Sequence, residues 1–225
     1  MAELLVAFDT SGPFGSVAVA HGADVLSRAV MARQNQHASM LIPTIDEVLD
    51  DAGVDREEIG GILVGEGPGS FTGVRVAAAT AKGMGRALAV PVRAVSSLAA
   101  AAFALERESI RYALFDARAD RVYGGCWGVG SDHVEELVAP HAGELRDVLA
   151  GEVPPGAVFT GDGAVKHRAA IEGAGFSVAE PPETRTLADG LVDYFGRVAS
   201  DPVSDLGSWE PLYVRASSAE RLWKA

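Results

Sequence analysis

Residues 65–75, GEGPGSFTGVR, come nearest in residue type and spacing to a catalytic or phosphate-binding motif. They do not form a Walker A loop, because no Gly-Lys-Ser/Thr ends the stretch, nor G-x-G-x-x-G, because Thr72 stands where the last glycine is needed. Ser70 directly follows Gly69, which also excludes the G-x-S-x-G elbow of hydrolases. The pattern predicts a strand, a tight loop and a helix capped by Ser70 or Thr72, at whose N-terminus an anion could bind.

Two other turns carry residues that suit a nucleotide. The turn at residues 9–11 precedes Gly12 and Gly15, so its amides could cradle a phosphate and its carboxylate could hold a metal ion, although the same residues also form ordinary β-turns. The turn at residues 161–163 follows a predicted strand and could pass under an adenosine or simply connect strand to helix. The candidate vestigial nucleotide or phosphate site consists of Asp9, Thr10, Ser11, Gly161, Asp162 and Gly163.

The histidines and the cysteine predict neither a metal site nor a nucleophile. A metal-binding helix needs histidines at i and i+4, and Leu41 occupies the second position after His37. His37 is therefore predicted to be a surface or capping residue near a helix start. Cys126 is the sole cysteine, so no intrachain disulfide forms, and we expect it to be a small buried residue on a strand.

The bulk composition limits the classes of function. The 225 residues carry a net charge of −12, which is unfavourable for direct binding to RNA phosphates. A partner would then hold any RNA, or the acidity serves solubility alone. No apolar run approaches the roughly 20 residues that span a bilayer, and residues 1–10 read as a strand rather than a secretory signal. We therefore expect a cytoplasmic protein without membrane contact.

The hydrophobic pattern predicts an α/β protein of two lobes, residues 1–108 and 109–225. A strand, an Asp-led turn and a second strand occur after Met1 and again after Arg111, which indicates lobes of related topology. The predicted strands cover 4–8, 15–20, 25–31, 62–64, 92–95, 112–115, 122–127 and 157–160. The predicted helices cover 37–52, 72–88, 97–106, 144–149, 164–172 and 187–198. Pro43 either kinks the first helix or lies in its first turn.

The predicted helix 72–88 is unusually rich in small residues. Glycines inside a helix each cost up to about 1 kcal/mol relative to alanine, so close packing must offset them. Small side chains allow a second helix to approach closely. That second helix belongs either to the same lobe or to another subunit.

Several of these segments together resemble the TsaB (YeaZ) family of tRNA-modification proteins. The most specific similarity is GPGSFTGVR at residues 67–75, followed by AKG at 81–83 on the same helix and VSSL at 95–98. Weaker similarities occur at 9–11, 37–43, 116–118, 161–163, 211–215 and 219–220, in the family's order. The family commonly has His-Ser-Glu where this chain has His37-Ala38-Ser39, so any contact of that glutamate is missing here.

The resemblance implies an actin-like ATPase (ASKHA) fold, with a mixed sheet flanked by helices in each lobe and a tail that returns to the first lobe. It implies a scaffold without catalytic residues, metal or cofactor, partnered by the catalytic paralogue TsaD and the ATPase TsaE. That complex transfers threonylcarbamoyl to N6 of the adenosine 3′ of the anticodon in ANN-decoding tRNAs. The chain alone would be a homodimer and would meet tRNA only within the complex. The implied interface consists of His37, Leu41, Ile45, Arg75, Ala78, Ala81 and Gly85.

Two other functions remain open on the sequence. The chain could be an enzyme in its own right, either a phosphotransferase or ATPase using Asp9 and the glycine turns, or a glycoprotease-like hydrolase. A hydrolase needs a metal site or an activated nucleophile, and the residues suggest neither. The chain could also be a general protein-interaction module with a different partner.

Overall fold

The structure is a computed structural model that describes residues 3–31, 36–106, 109–131, 133–151, 153–198 and 200–214. It contains two five-stranded mixed sheets, each flanked by helices. Among these residues no helix combines the length and apolar character needed to cross a membrane.

The first sheet is built on two short apolar strands that are buried over nearly their whole length. Its order is β3-β2-β1-β4-β5, antiparallel among the first three strands and parallel from β1 to β4 to β5. The strands are β1 (Leu4–Asp9), β2 (Ser16–His21), β3 (Asp24–Val30), β4 (Gly61–Gly65) and β5 (Val92–Val95). The helices are α1 (His37–Ala52), α2 (Phe71–Leu88) and α3 (Ser97–Phe103), with a short 3₁₀ turn at Arg56–Glu58.

The second sheet repeats the topology of the first. Its order is β10-β9-β6-β7-β8, which matches the order of the first sheet when it is read from β8. In both sheets three antiparallel strands form a meander and two further strands are added in parallel. The strands are β6 (Ser109–Asp116), β7 (Arg121–Val129), β8 (Val134–Glu144), β9 (Val158–Thr160) and β10 (Ser177–Val178). The helices are α4 (Leu145–Ala150), α5 (Asp162–Lys166), α6 (Arg168–Gly173) and α7 (Leu187–Arg197). The predicted pair of related lobes is confirmed.

Helices α3 and α7 lie between the two sheets and join them. One apolar cluster contains residues of both helices together with strands from both sheets. The helices touch closely at Gly190, where a Cβ would lie 1.9 Å from the carbonyl oxygen of Ala100. At the start of α7, Thr186 and Asp189 form a capping box, which fixes the chain entry beside the cleft described below.

The segment 203–213 packs on the first sheet and α2. Val203 donates a backbone hydrogen bond to Val92 on β5, and Leu212 donates one to Glu66, both at 2.8 Å. Leu206 is partly buried and packs against the apolar cluster beneath α1 and α2. The segment therefore hydrogen-bonds to the first residue of β5 and to the residue that follows β4.

Several predicted elements differ from the structure. Strand β8 was not predicted, and the predicted helix 164–172 divides into α5 and α6 at His167. The helix expected over 97–106 ends at Phe103. Pro43 lies inside α1, beyond its first turn. Residues 107–108, at the expected lobe boundary, and 215–225, at the tail, fall outside the described residues.

Candidate functional site

Asp9 lies at the end of β1 and is fully buried. Its carboxylate accepts hydrogen bonds from the amide and hydroxyl of Ser11, at 2.7 and 2.6 Å, and from the hydroxyl of Ser97 at 2.5 Å. Burial raises the pKa of this carboxyl, and the three hydrogen bonds oppose that rise. All three donors belong to the chain itself, so the Asp9 carboxylate links the end of β1 to the start of α3.

The glycine-rich loop packs directly on this junction. Ser70 donates its amide to the carbonyl oxygen of Ser11 at 2.8 Å, and the Thr10 hydroxyl donates to the carbonyl oxygen of Gly73 at 2.7 Å. A Cβ on Gly73 would lie only 1.8 Å from the carbonyl oxygen of Thr10. The glycines therefore permit close backbone contact within the chain.

This packing corrects the proposed cradle at residues 9–11. Asp9, Thr10 and Ser11 are all buried, with at most 3% of their surface exposed, so they do not present an open anion site. The alternative of a structural turn fits them instead. Ser70, rather than Thr72, caps α2, through a 3.3 Å hydrogen bond from the amide of Gly73 to its hydroxyl.

A cleft with a cavity of about 340 Å³ lies between the lobes. On the side of the first lobe it is lined by the turn Gly12, Pro13 and Phe14 and by the end of α3. From the second lobe it receives the ends of β6 and β9, the start of α5 and the segment before α7. The chief lining residues are Gly12, Pro13, Phe14, Phe115, Thr160, Gly161, Asp162, Val165, Glu180, Glu183, Arg185 and Leu187.

The second predicted turn lies at this cleft, but only in part. Gly161 and Asp162 line the cavity, whereas Gly163 is buried against the backbone of Phe115 and Asp116. Desolvation raises the pKa of Asp162 to about 6, although the residue keeps access to water. Asp162 and the buried Asp9 therefore do not form one site.

The predicted interface residues on α1 and α2 are mostly buried in the chain's own core. Leu41, Ile45 and Ala81 are at most 2% exposed and belong to the cluster against the first sheet. The remaining buried members are His37, Ala78 and Gly85, and Arg75 is the exposed exception. The six buried residues are used inside the fold, whereas Arg75 is open to a second chain, and the interface assignment stays a prediction.

His37 also departs from its prediction as a surface or capping residue. It is only 7% exposed, and its Nδ1 has no hydrogen-bond partner among the described residues. A Cβ on Gly15 would lie 3.1 Å from that nitrogen, so the β1–β2 turn covers the imidazole. Cys126, by contrast, is buried on β7 as expected.

The outward faces of α1 and α2 have a composition of their own. On α1, Met40 and Ile42 are 38% and 46% exposed. On α2, Ala79 and Gly83 lie outward at helical spacing, and a Cβ on Gly83 would meet nothing within 4 Å. Nothing described within the chain therefore accounts for a glycine at position 83.

The two helices carry opposite charges. The exposed carboxylates of α1 are Asp46, Glu47, Asp50 and Asp51, and this helix contains no lysine or arginine. The basic residues of α2 are Arg75, Lys82 and Arg86, and this helix contains no acidic residue. We call these outward faces of α1 and α2 the helix-pair face.

An aromatic cluster borders the helix-pair face and was missed by sequence reasoning. The Arg75 guanidinium lies 3.8 Å from the ring centre of Phe71, and its Nε donates to the Tyr213 hydroxyl at 3.1 Å. Phe71 and Tyr213 remain 41% and 39% exposed. The long sequence separation between Arg75 and Tyr213 left no local signal for this contact.

Within the described ranges no group of three His, Cys, Asp or Glu side chains is placed to hold a metal ion. The predicted lack of a metal site stays a prediction.

The chain matches the family model described as TsaD, tRNA N6-adenosine threonylcarbamoyltransferase, over residues 26–179. It is 27% identical to "tRNA threonylcarbamoyladenosine biosynthesis protein TsaB" of Bacillus subtilis, with 97% of each chain covered. The structure of YeaZ from Pseudomonas aeruginosa is similar with a TM-score of 0.76 and 27% identity, covering 94% of this chain and 99% of that one.

A more distant structure shares the fold alone. Component A of the (R)-2-hydroxyglutaryl-CoA dehydratase of Acidaminococcus fermentans has a TM-score of 0.51 at 10% identity, and covers 87% of this chain and 96% of that one. The repeated lobes and this similarity confirm the predicted actin-like ATPase fold. With the family match over residues 26–179, the chain belongs to the TsaD family and, within it, to the TsaB (YeaZ) group.

Proposed function

We propose that this chain is a non-catalytic scaffold of a complex that places threonylcarbamoyl on N6 of the adenosine 3′ of the anticodon in ANN-decoding tRNAs. Its family supports the broader role in tRNA threonylcarbamoyladenosine synthesis. The scaffold pairs with TsaD and works with the ATPase TsaE. The observation that carries the proposal is the helix-pair face, which combines exposed apolar residues, small residues and separated charges.

The geometry of the helix-pair face suits a partner built from similar helices. In a two-fold arrangement, the acidic α1 of one chain can lie against the basic α2 of the other. Ala79 and Gly83 then allow the helix backbones to approach closely. A paralogue with the same helices can replace the second copy, so a homodimer forms alone and a heterodimer forms with TsaD.

The side chains that could take part in a reaction are hydrogen-bonded or buried within the fold, which supports a non-catalytic role. The Asp9 carboxylate is bonded to Ser11 and Ser97. Burial raises the pKa of the Cys126 thiol to about 12, so the thiolate that would act as a nucleophile is scarce at neutral pH. With a net charge of −12, the chain leaves the binding of tRNA to its partners.

Reconstitution with TsaD and TsaE tests the proposal. We expect threonylcarbamoyl transfer to tRNA with all three proteins, little transfer when this chain is omitted, and no turnover by this chain alone. Arg86→Glu on the helix-pair face should weaken both TsaD binding and transfer. Arg146→Glu, a charge reversal at another exposed arginine, on α4, should change neither. Turnover by the pure chain, or full transfer without it, would contradict the scaffold role.

A further inference from the structure

We propose that a surface cluster of Phe71, Arg75 and Tyr213 docks a segment of a partner protein in which a carboxylate adjoins an apolar side chain. We call these three residues the Arg75 cluster. It joins the first turn of α2 to the segment 203–213 that packs on this helix. None of its residues lines the cleft between the lobes, and the inference does not depend on the proposed function.

The Arg75 guanidinium is held in one position by two aromatic rings. It lies 3.8 Å from the ring centre of Phe71 and 5.8 Å from that of Tyr213, and its Nε donates to the Tyr213 hydroxyl at 3.1 Å. The two rings are 5.8 Å apart between their centres. A guanidinium fixed in this way has already lost much of its rotamer freedom, so a ligand pays little further entropy to order it.

The backbone on both sides of the cluster is anchored to the first lobe. Ser70, which precedes Phe71, donates its amide to the carbonyl oxygen of Ser11 at 2.8 Å. Leu212, which precedes Tyr213, donates its amide to the carbonyl oxygen of Glu66 at the same distance. The cluster is therefore a preformed surface feature.

The positive charge of Arg75 lacks a carboxylate partner within the described residues. Its Nη1 and Nη2 make no hydrogen bond or ion pair there, and α2 contains no acidic residue. Arg28 and Arg93, by contrast, pair with Asp189 and Glu3. The chain has 31 acidic residues against 19 basic ones, so an arginine fixed without a carboxylate is unusual in it. The two free Nη atoms can bind an incoming carboxylate end-on through parallel hydrogen bonds.

The rings on either side of the guanidinium select what lies next to that carboxylate. Phe71 and Tyr213 are 41% and 39% exposed, so an apolar side chain of the partner would cover both and exclude water from the ion pair. An RNA phosphate fits less well, because the cluster offers a single cation in a chain of net charge −12. The surface therefore favours an acidic, apolar protein segment.

Titration of the ¹⁵N-labelled full chain, followed by NMR, tests the proposal with two blocked peptides, Gly-Leu-Asp-Phe-Gly and Gly-Leu-Asn-Phe-Gly. We expect the Asp peptide to shift the amide signals of the Arg75 cluster, and the Asn peptide to bind at least five-fold more weakly. Arg75→Lys keeps the charge but loses the planar fork, so it should weaken binding of the Asp peptide at least five-fold. Arg86→Lys, the same change at another exposed arginine of α2, is the control and should have no effect.

Four results would overturn the proposal. They are equal binding of the two peptides, no shift at millimolar Asp peptide, equal loss in the Arg75 and Arg86 variants, and tighter binding of hexauridylate than of the Asp peptide at the cluster. Phe71→Ala provides a second variant and should also weaken binding of the Asp peptide. Circular dichroism of each variant confirms that it is folded.

Discussion

Gly83 gives the sharpest test of the helix-pair face, because Gly85 two residues away serves as its matched control. A Cβ on Gly83 would meet nothing within 4 Å, so Gly83→Ala should stabilise the separate chain by up to about 1 kcal/mol through helix propensity. A Cβ on Gly85 would lie 2.5 Å from Cγ2 of Val92 and 3.3 Å from Leu206. Gly85→Ala should therefore destabilise the chain by about 1–3 kcal/mol through overpacking.

The same position should govern association. If a helix of another chain approaches at Gly83, then Gly83→Leu holds the two backbones apart and weakens self-association and TsaD binding about ten-fold or more. Urea denaturation at a concentration where the chain is monomeric measures stability, and sedimentation velocity measures association. If Gly83→Leu associates as the parent does, or if Gly83→Ala destabilises the monomer as much as Gly85→Ala, no helix of another chain packs at Gly83.

Two further predictions concern buried and titrating polar groups. Ser97→Ala removes a donor to Asp9 and an acceptor for the amide of Gly67. It should lower the free energy of unfolding, measured by urea denaturation, by at least about 2 kcal/mol. Ser96→Ala, whose buried hydroxyl has no hydrogen-bond partner among the described residues, should cost far less, and equal losses would contradict this. Asp162→Asn tests the carboxyl whose pKa is raised from 3.8 to about 6 by burial and by nearby Asp116. The folded protein binds the proton of Asp162 more tightly than the unfolded chain does. The stabilisation of the fold by this proton is therefore fully present below pH 3.8 and is lost as the pH rises through 6. The variant should therefore exceed the parent in Tm at pH 7 but not at pH 3.5, and an advantage independent of pH would exclude this cause.

The sequence predicted local elements better than it predicted which surface is free. Helix α1 was predicted with both its ends correct, because its apolar periodicity is regular and Gly53 stops it. Strand β8 was missed because it is an edge strand in which Glu135, Glu136 and Pro140 interrupt any apolar alternation.

The helix-pair face shows why the site was harder to predict than the fold. Leu41 and Ile45, which the family resemblance implied at an interface, belong to the apolar stripe by which α1 packs on the sheet. The outward residues, such as Gly83, are recognised only after the sheet shows which side is occupied. The cleft is similarly a product of topology, since Phe14 and Val165 are distant in sequence.

The return of segment 203–213 to the first sheet sets the order in which the chain can mature during synthesis. A domain emerging first from the ribosome commonly folds first. Here the N-terminal sheet lacks the packing of Leu206 and the hydrogen bond from Val203 to β5 until this segment has been made. A chain that ends before residue 203 would lack these contacts, and its first lobe should be less stable and more prone to aggregate.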